Sequence, residues 1–294
     1  MNHHLEHSIK YFLRSSAQIM LQSNVVTGFL FLVGIGINSS MMLLGCLLAM
    51  LSSLAIVEIF QYDSDCAKKG FYGFNAALVG IAVFSLLPLN LVSLFLAIFG
   101  GALSAFLMHM MMTKTPSIPP LTAPFILTIW IIGLIIEFWE ISVVNQGGNV
   151  APLSASLLDL LYGVLSGVGQ VMLQGSWLSG AVFCCALLCS SYKAAVWGVL
   201  GSVTGLLAAI ILGFSHESAT LGLYSFNGCL VAIALIDRYP DRYWLIFFAL
   251  LSTVVLTRGF EMATIPAFTA PFVITTWLSI VFVKLQASLS FQNS

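Results

Sequence analysis

The sequence predicts an all-α polytopic membrane protein made of two related halves. Three observations carry this: a composition too apolar for a water-soluble domain, charge-free runs long enough for two crossings each, and words that recur in order. Of 294 residues, 60% are hydrophobic and 7% charged, whereas soluble domains carry about 25% charged residues. Gln18–Ile56 runs for 39 residues and Gly70–Thr113 for 44 without a Lys, Arg, Asp or Glu. A spanning helix needs about 20 apolar residues, so each run has room for two passes. A transmembrane β-barrel would alternate apolar and polar positions, yet AALVGIAVFSLL is apolar on every face. The start, MNHHLEHSIKYFLRSS, lacks a basic stretch leading into a small-residue cleavage site, so no removable signal peptide is expected.

In order along the first half, apolar segments lie near 6–22, 25–37, 41–60, 71–88, 90–112 and 120–140. Several are short for a crossing, notably 25–37 and the stretch ending at Pro88.

The second half repeats the first. GFYGFNAALVGIA from Gly70 returns as GLYSFNGCLVAIA from Gly222, a shift of 152. The same shift pairs Gln18 with Gln170, Met20 with Met172, Leu21 with Leu173, Gln22 with Gln174 and Gly28 with Gly180. It also pairs Tyr72 with Tyr224, Phe74 with Phe226, Asn75 with Asn227, Leu78 with Leu230 and Pro88 with Pro240. Thr122-Ala123-Pro124-Phe125 returns as Thr269-Ala270-Pro271-Phe272 at a shift of 147, which predicts a loop five residues shorter. An ordered series of this kind marks a duplication. The halves are 1–145 and 151–294, joined at 146–150 within the polar, Gly-rich run Asn145-Gln146-Gly147-Gly148-Asn149.

Charge placement speaks to orientation. Lys68 and Lys69 sit at a junction whose counterpart carries His216 and Glu217, and Arg238 and Arg242 sit where the first copy has no charge. Positive residues favour the cytoplasmic side, so equivalent loops face opposite sides, as in inverted repeats. Lys114 and Arg258, at roughly corresponding places, argue against it. Inversion needs an odd number of spans per half. Six segments then mean five transmembrane helices plus one half-length re-entrant helix in each half, arranged around a central pore.

Polar side chains retained inside a bilayer usually face the protein interior. Gln18 and Gln170 offer an amide carbonyl and two N–H donors each. Thr122 and Thr269 precede Pro124 and Pro271 at the start of apolar runs, where Thr caps helices well and Pro suits the first turn. Capping and lining a passage both remain open for these threonines. Asn75 and Asn227 fit either the backbone of a broken helix or a solute. Phe74 with Leu78, and Phe226 with Leu230, are spaced i, i+4 and share a helix face.

The ionisable residues Glu58, Glu137, Glu140, Asp159 and Glu261 are not repeated, and most lie near segment ends. His109 is a lone intramembrane candidate for proton handling, with packing the plainer reading. A coupled transporter would keep a mid-depth carboxylate on its path, so passive conduction of a neutral solute is favoured. Enzyme readings find no HExxH, GxSxG, P-loop or paired carboxylates. GVLSGVG at 163–169 suits tight helix packing. Cys46, Cys66, Cys184, Cys185, Cys189 and Cys229 have no metal-ligand spacing. His3, His4 and His7 are expected on a frayed terminus. The sequon Asn38-Ser39-Ser40 lies in an apolar stretch and is discounted. No metal, cofactor or nucleic-acid partner is expected.

The duplication, the two YxFN-type words and the two TAPF words together resemble the urea transporter family over nearly the whole chain. The resemblance implies five spans and a half-helix per half as inverted repeats, one pore per subunit, and a homotrimer in the bilayer. It places Gln18 and Gln170 near the two ends of the filter, Phe74 and Phe226 as walls of flat slots, and Leu78, Leu230, Thr122 and Thr269 along the middle. Leu21 and Leu173 stand where many relatives carry Phe, and Gln170 where some bacterial members carry Glu. A Leu wall offers less stacking surface. The expected activity is channel-like diffusion of urea, with close analogues as possible substrates. Urea's N–H groups would be accepted by backbone carbonyls, helped by Gln and Thr, between Phe and Leu walls. An ion-coupled transporter or channel for another small neutral amide or amine is the alternative, and a non-transporting scaffold a distant third. The short loops suit a bacterial inner membrane.

Overall fold

The computed structural model describes residues 2–144 and 157–292. Among these, every regular element is a helix: α1 (Asn2–Gln18), α2 (Val25–Asn38), α3 (Ser40–Ile59), α4 (Ser64–Lys68), α5 (Gly73–Leu86), α6 (Leu91–Lys114) and α7 (Ala123–Phe138). Then follow α8 (Leu157–Gln170), α9 (Trp177–Ser190), α10 (Tyr192–Ile211), α11 (His216–Thr220), α12 (Phe226–Arg238), α13 (Tyr243–Met262) and α14 (Ala270–Gln292). The second series repeats the first element for element, with α2 and α9 both 14 residues long and α3 and α10 both 20. The Gly-rich linker lies outside the described residues. The chain is helical from Asn2, where the sequence reading placed a frayed end.

Helices α3, α6, α10, α13 and α14 are long and apolar enough to cross a bilayer, which makes this a multi-pass membrane protein. Helices α2, α5, α9 and α12 have 14, 14, 14 and 13 residues. At about 1.5 Å per residue they rise about 20 Å, short of the ~30 Å hydrocarbon core.

Helix α5 is apolar on all sides because it is covered on all sides: every residue from Gly73 to Phe84 is buried. Helix α12 is enclosed in the same way from Phe226 to Ile233. Close backbone approach makes this possible. A Cβ on Gly80 would lie 2.0 Å from the Gly45 carbonyl oxygen of α3, and one on Gly201 of α10 2.3 Å from that of Gly228 of α12. The two helix pairs therefore use the same device one turn apart, small residues letting backbones touch.

Four of the five residues missing from the second copy are lost from a helix end: α6 has 24 residues and α13 has 20. The sequence had assigned that loss to a loop. Asn38 is no free acceptor for a glycan either, since its Nδ2 donates to Gln174 Oε1 at 2.8 Å. The six cysteines are free thiols.

The two series meet reciprocally. Thr27 Oγ1 on α2 donates to the Ala186 carbonyl on α9, and Ser179 Oγ on α9 donates to the Gly34 carbonyl on α2, both at 2.8 Å. These are the same contact read from each side at the 152-residue shift. Between them Phe31 and Phe183, also equivalents, meet edge to face with centroids 5.2 Å apart. Contacts of the form i to j with j′ to i′ are the mark of a two-fold relation.

Candidate functional site

The second reciprocal junction joins the starts of α7 and α14. Leu121 and Phe268, just ahead of the two threonines, have φ of +52° and +43°. That left-handed conformation is uncommon for large side chains, and a remote asparagine holds each in place. Asn75, at the start of α5, donates Nδ2 to the Leu121 carbonyl at 3.2 Å and accepts from the Phe125 N–H at 3.0 Å. Asn227, at the start of α12, does the same to the Phe268 carbonyl and Phe272 N–H at 3.1 Å each. Phe125 N–H is one of the first-turn donors of α7 that its own helix cannot satisfy. The asparagines thus cap the neighbouring helix through space, while Pro124 sits in the first turn of α7, where a missing N–H costs nothing; Pro271 has the matching place in α14.

This capping frees the threonines. Thr122 occupies the N-cap position of α7 without making a side-chain cap bond. Instead, Thr269 Oγ1 donates to Thr122 Oγ1 at 2.7 Å, and both residues are 2% exposed. Two equivalents from opposite series touch, so they lie on the approximate two-fold. The capping alternative is set aside at Thr122. Around them Trp130 Nε1 donates to the Pro266 carbonyl at 2.9 Å and Trp277 Nε1 to the Pro119 carbonyl at 2.8 Å, again one contact seen twice.

Gln18 and Gln170 are the last residues of α1 and α8 and half-buried. Each chain then turns through Leu21 (φ +60°) or Leu173 (φ +57°). Phe74 and Phe226 begin the enclosed helices and are buried, with Leu78 and Leu230 one turn further in. At the end of the second series these elements open a cavity of about 290 Å³. Gln170, Leu173 and Phe226 line it together, with Tyr224, Glu261 and Phe268. Phe268, in the wall of this cavity, is the residue before Thr269.

Sequence reasoning missed what else lines the mouth. Glu261 Oε2 accepts from Tyr224 Oη and from Arg258 Nη1, the latter at 2.7 Å. Arg258 also lies over the Phe214 ring at 5.3 Å. Its charge is thus paired with Glu261 at the edge of the cavity. Tyr224 carried a signal, being repeated from Tyr72, whereas Glu261 carried none. At the 152 shift its equivalent is His109, stacked on Tyr62 with centroids 3.9 Å apart and planes 5° from parallel. Packing holds that ring, the plainer of the two readings, and its buried Nδ1 has no hydrogen-bond partner among the described residues. Among the described residues no cluster of His, Cys, Asp or Glu has the make-up of a metal site.

A multi-pass helical protein that brings duplicated amide, hydroxyl and aromatic side chains to the junction of its two series has the construction of a membrane transport protein. A family model described as urea transporter matches residues 9–284. The chain is 29% identical to Urea transporter 1 of Mus musculus over 269 residues, which is 85% of this chain and 68% of the relative. It is 28% identical to Urea transporter 1 of Ovis aries over 297 residues, 92% of this chain and 76% of the relative. The chain belongs to the urea transporter family.

Proposed function

We propose that the chain is a passive urea channel, non-enzymatic and without cofactor or coupling ion, whose path runs from the Gln18 end through the Thr122–Thr269 pair to the Gln170 end. The threonine pair is the observation that carries this reading. Two equivalent hydroxyls turned toward each other, away from their helix ends, make a polar constriction that a planar molecule can enter only by exchanging hydrogen bonds. Stripping a urea-like amide of water without partners costs roughly 2–7 kcal/mol. Gln170 and the carbonyls at the ends of broken helices replace those bonds in steps, and Phe226 and Leu173 supply flat apolar walls. By the repeat, Gln18, Leu21, Phe74 and Leu78 do the same on the other side, and Leu230 lines the second inner wall. The halves 1–145 and 151–294 are read as inverted repeats, since the reciprocal contacts need a two-fold and the loop charges favour one lying in the membrane plane. A homotrimer, implied by the family resemblance, in a bacterial inner membrane, which the short loops suit, completes the reading.

The test is urea flux into proteoliposomes at zero potential, with and without a proton or sodium gradient. Flux that follows the urea gradient alone is expected; accumulation driven by either ion would overturn the passive reading. Thr122→Val and Thr269→Val are each expected to slow flux about tenfold, the cost of one lost hydrogen bond of ~1 kcal/mol or slightly more, with assembly unchanged. Undiminished flux in both would return the threonines to packing.

A further inference from the structure

We infer that Glu261 is a specificity-determining residue of the second mouth, accepting an amino N–H of the planar amide. This rests on reading the cavity as one end of the urea path. Glu261 shares the cavity wall with Gln170, Leu173 and Phe226, and its side chain is 38% exposed. Both bonds that fix the carboxylate, from Tyr224 and Arg258, end on Oε2, and neither engages Oε1. A carboxylate has lone pairs for about four hydrogen bonds over its two oxygens, so a group held through one oxygen still presents the other. Arg258 offsets the charge, which keeps the cavity from favouring cations over a neutral amide. The guanidinium also lies over the Phe214 ring, 5.3 Å from its centroid.

Among the residues lining the cavity, Glu261 and Gln170 are the two whose side chains offer carboxylate or amide oxygens. Urea has an amino group for each; acetamide has one amino group and a methyl. The second mouth is therefore built to prefer urea over acetamide. The first mouth, with His109 stacked on Tyr62 where the second has Glu261, has no carboxylate at that position.

The experiment compares the reconstituted full chain with Glu261→Ala, Glu261→Gln and Arg258→Ala, measuring half-saturation for urea and acetamide by stopped-flow flux. Glu261→Ala is expected to raise the urea value about fivefold, as for one hydrogen bond of ~1 kcal/mol, and the acetamide value less than twofold. Glu261→Gln, of the same size and still an acceptor, is expected to shift urea about twofold in the same direction. Arg258→Ala keeps the carboxylate and is expected to keep the preference. An unchanged urea-to-acetamide ratio in both Glu261 variants, with urea still crossing, overturns the inference and leaves the channel reading standing. A ratio lost in Arg258→Ala but kept in Glu261→Gln also overturns it, assigning discrimination to the guanidinium. No urea flux in the unaltered chain overturns the channel reading itself, and is told apart by that control. Glu261→Gln carries the test should Glu261→Ala fail to fold.

Discussion

The two ends of the bundle are built from equivalent helices and unlike chemistry. At the first, Tyr62, Tyr72 and His109 make an aromatic cluster, with the His109 ring flat on Tyr62. At the second, the equivalent places hold Phe214, Tyr224 and Glu261, and Arg258 stands where the first has Phe106. Between the ends the copies agree: Asn75 matches Asn227, Thr122 meets Thr269, and Trp130 mirrors Trp277. The difference follows from where the bonds go. Thr27, Ser179, Thr122, Thr269, Trp130 and Trp277 bond across to the opposite series, so a change in one copy removes a contact that the other copy shares, while Asn75 and Asn227 each tie together two helix starts of their own series. Residues at the mouths bond within their own series and can diverge in concert with near neighbours. Duplication conserved the centre and released the ends.

The largest effect expected is at the centre and should be the same in both halves. Asn75→Ala or Asn227→Ala orphans a first-turn N–H and a carbonyl, each costing about 1–3 kcal/mol. Chemical unfolding in detergent should show nearly equal losses; a large loss from one and none from the other would break the equivalence of the copies. A smaller and one-sided effect is expected at the first mouth. His109→Phe keeps a ring against Tyr62 and removes the partnerless Nδ1, so it should hold or raise stability by up to about 1 kcal/mol. His109→Ala should lose the aromatic contact, worth about 0.5–1.5 kcal/mol beyond burial. A stability drop in both variants would show that the imidazole nitrogens have partners in solution.

The smallest expected effect separates two caps. Asp63 Oδ1 accepts from Cys66 N–H at 2.7 Å at the start of α4, and Ser215 Oγ accepts from Ser218 N–H at 3.3 Å at the start of α11. The Cys66 backbone N–H holds the Asp63 carboxyl below its ordinary value. A carboxylate with a depressed folded pKa contributes stability above its ordinary pKa and loses it as pH falls through the folded one. Amide exchange at Cys66, corrected for intrinsic rates, should therefore quicken as pH drops through the lower carboxylate range, while exchange at Ser218 does not. Parallel profiles would show that the charge on Asp63 has no part in the cap.

Most helices could be read from the apolar runs, and the pairing of the halves from repeated words. The structural role of Asn75 and Asn227 was one of two readings left open, because an Asn inside an apolar run needs partners and a broken helix has them. That Thr122 touches Thr269 was beyond reach: repetition says two residues are equivalent, not that they meet. The shortened α13 was hidden for a related reason, since a helix end and a loop lose residues alike in a linear text. Glu261 and His109 were named but given no place in the site, because repetition served as the filter and these two differ from each other. The 152-residue shift pairs them, and the fold shows what each one touches there.

The hydroxyl pair at the centre has one more consequence. Threonine does not ionise in water-compatible conditions, so the bond from Thr269 to Thr122 carries no formal charge that a membrane voltage could pull or acid could cancel. Arg258, Glu261 and His109, which can carry charge, sit at the ends of the bundle and not at this pair, leaving the bond itself indifferent to the field across it.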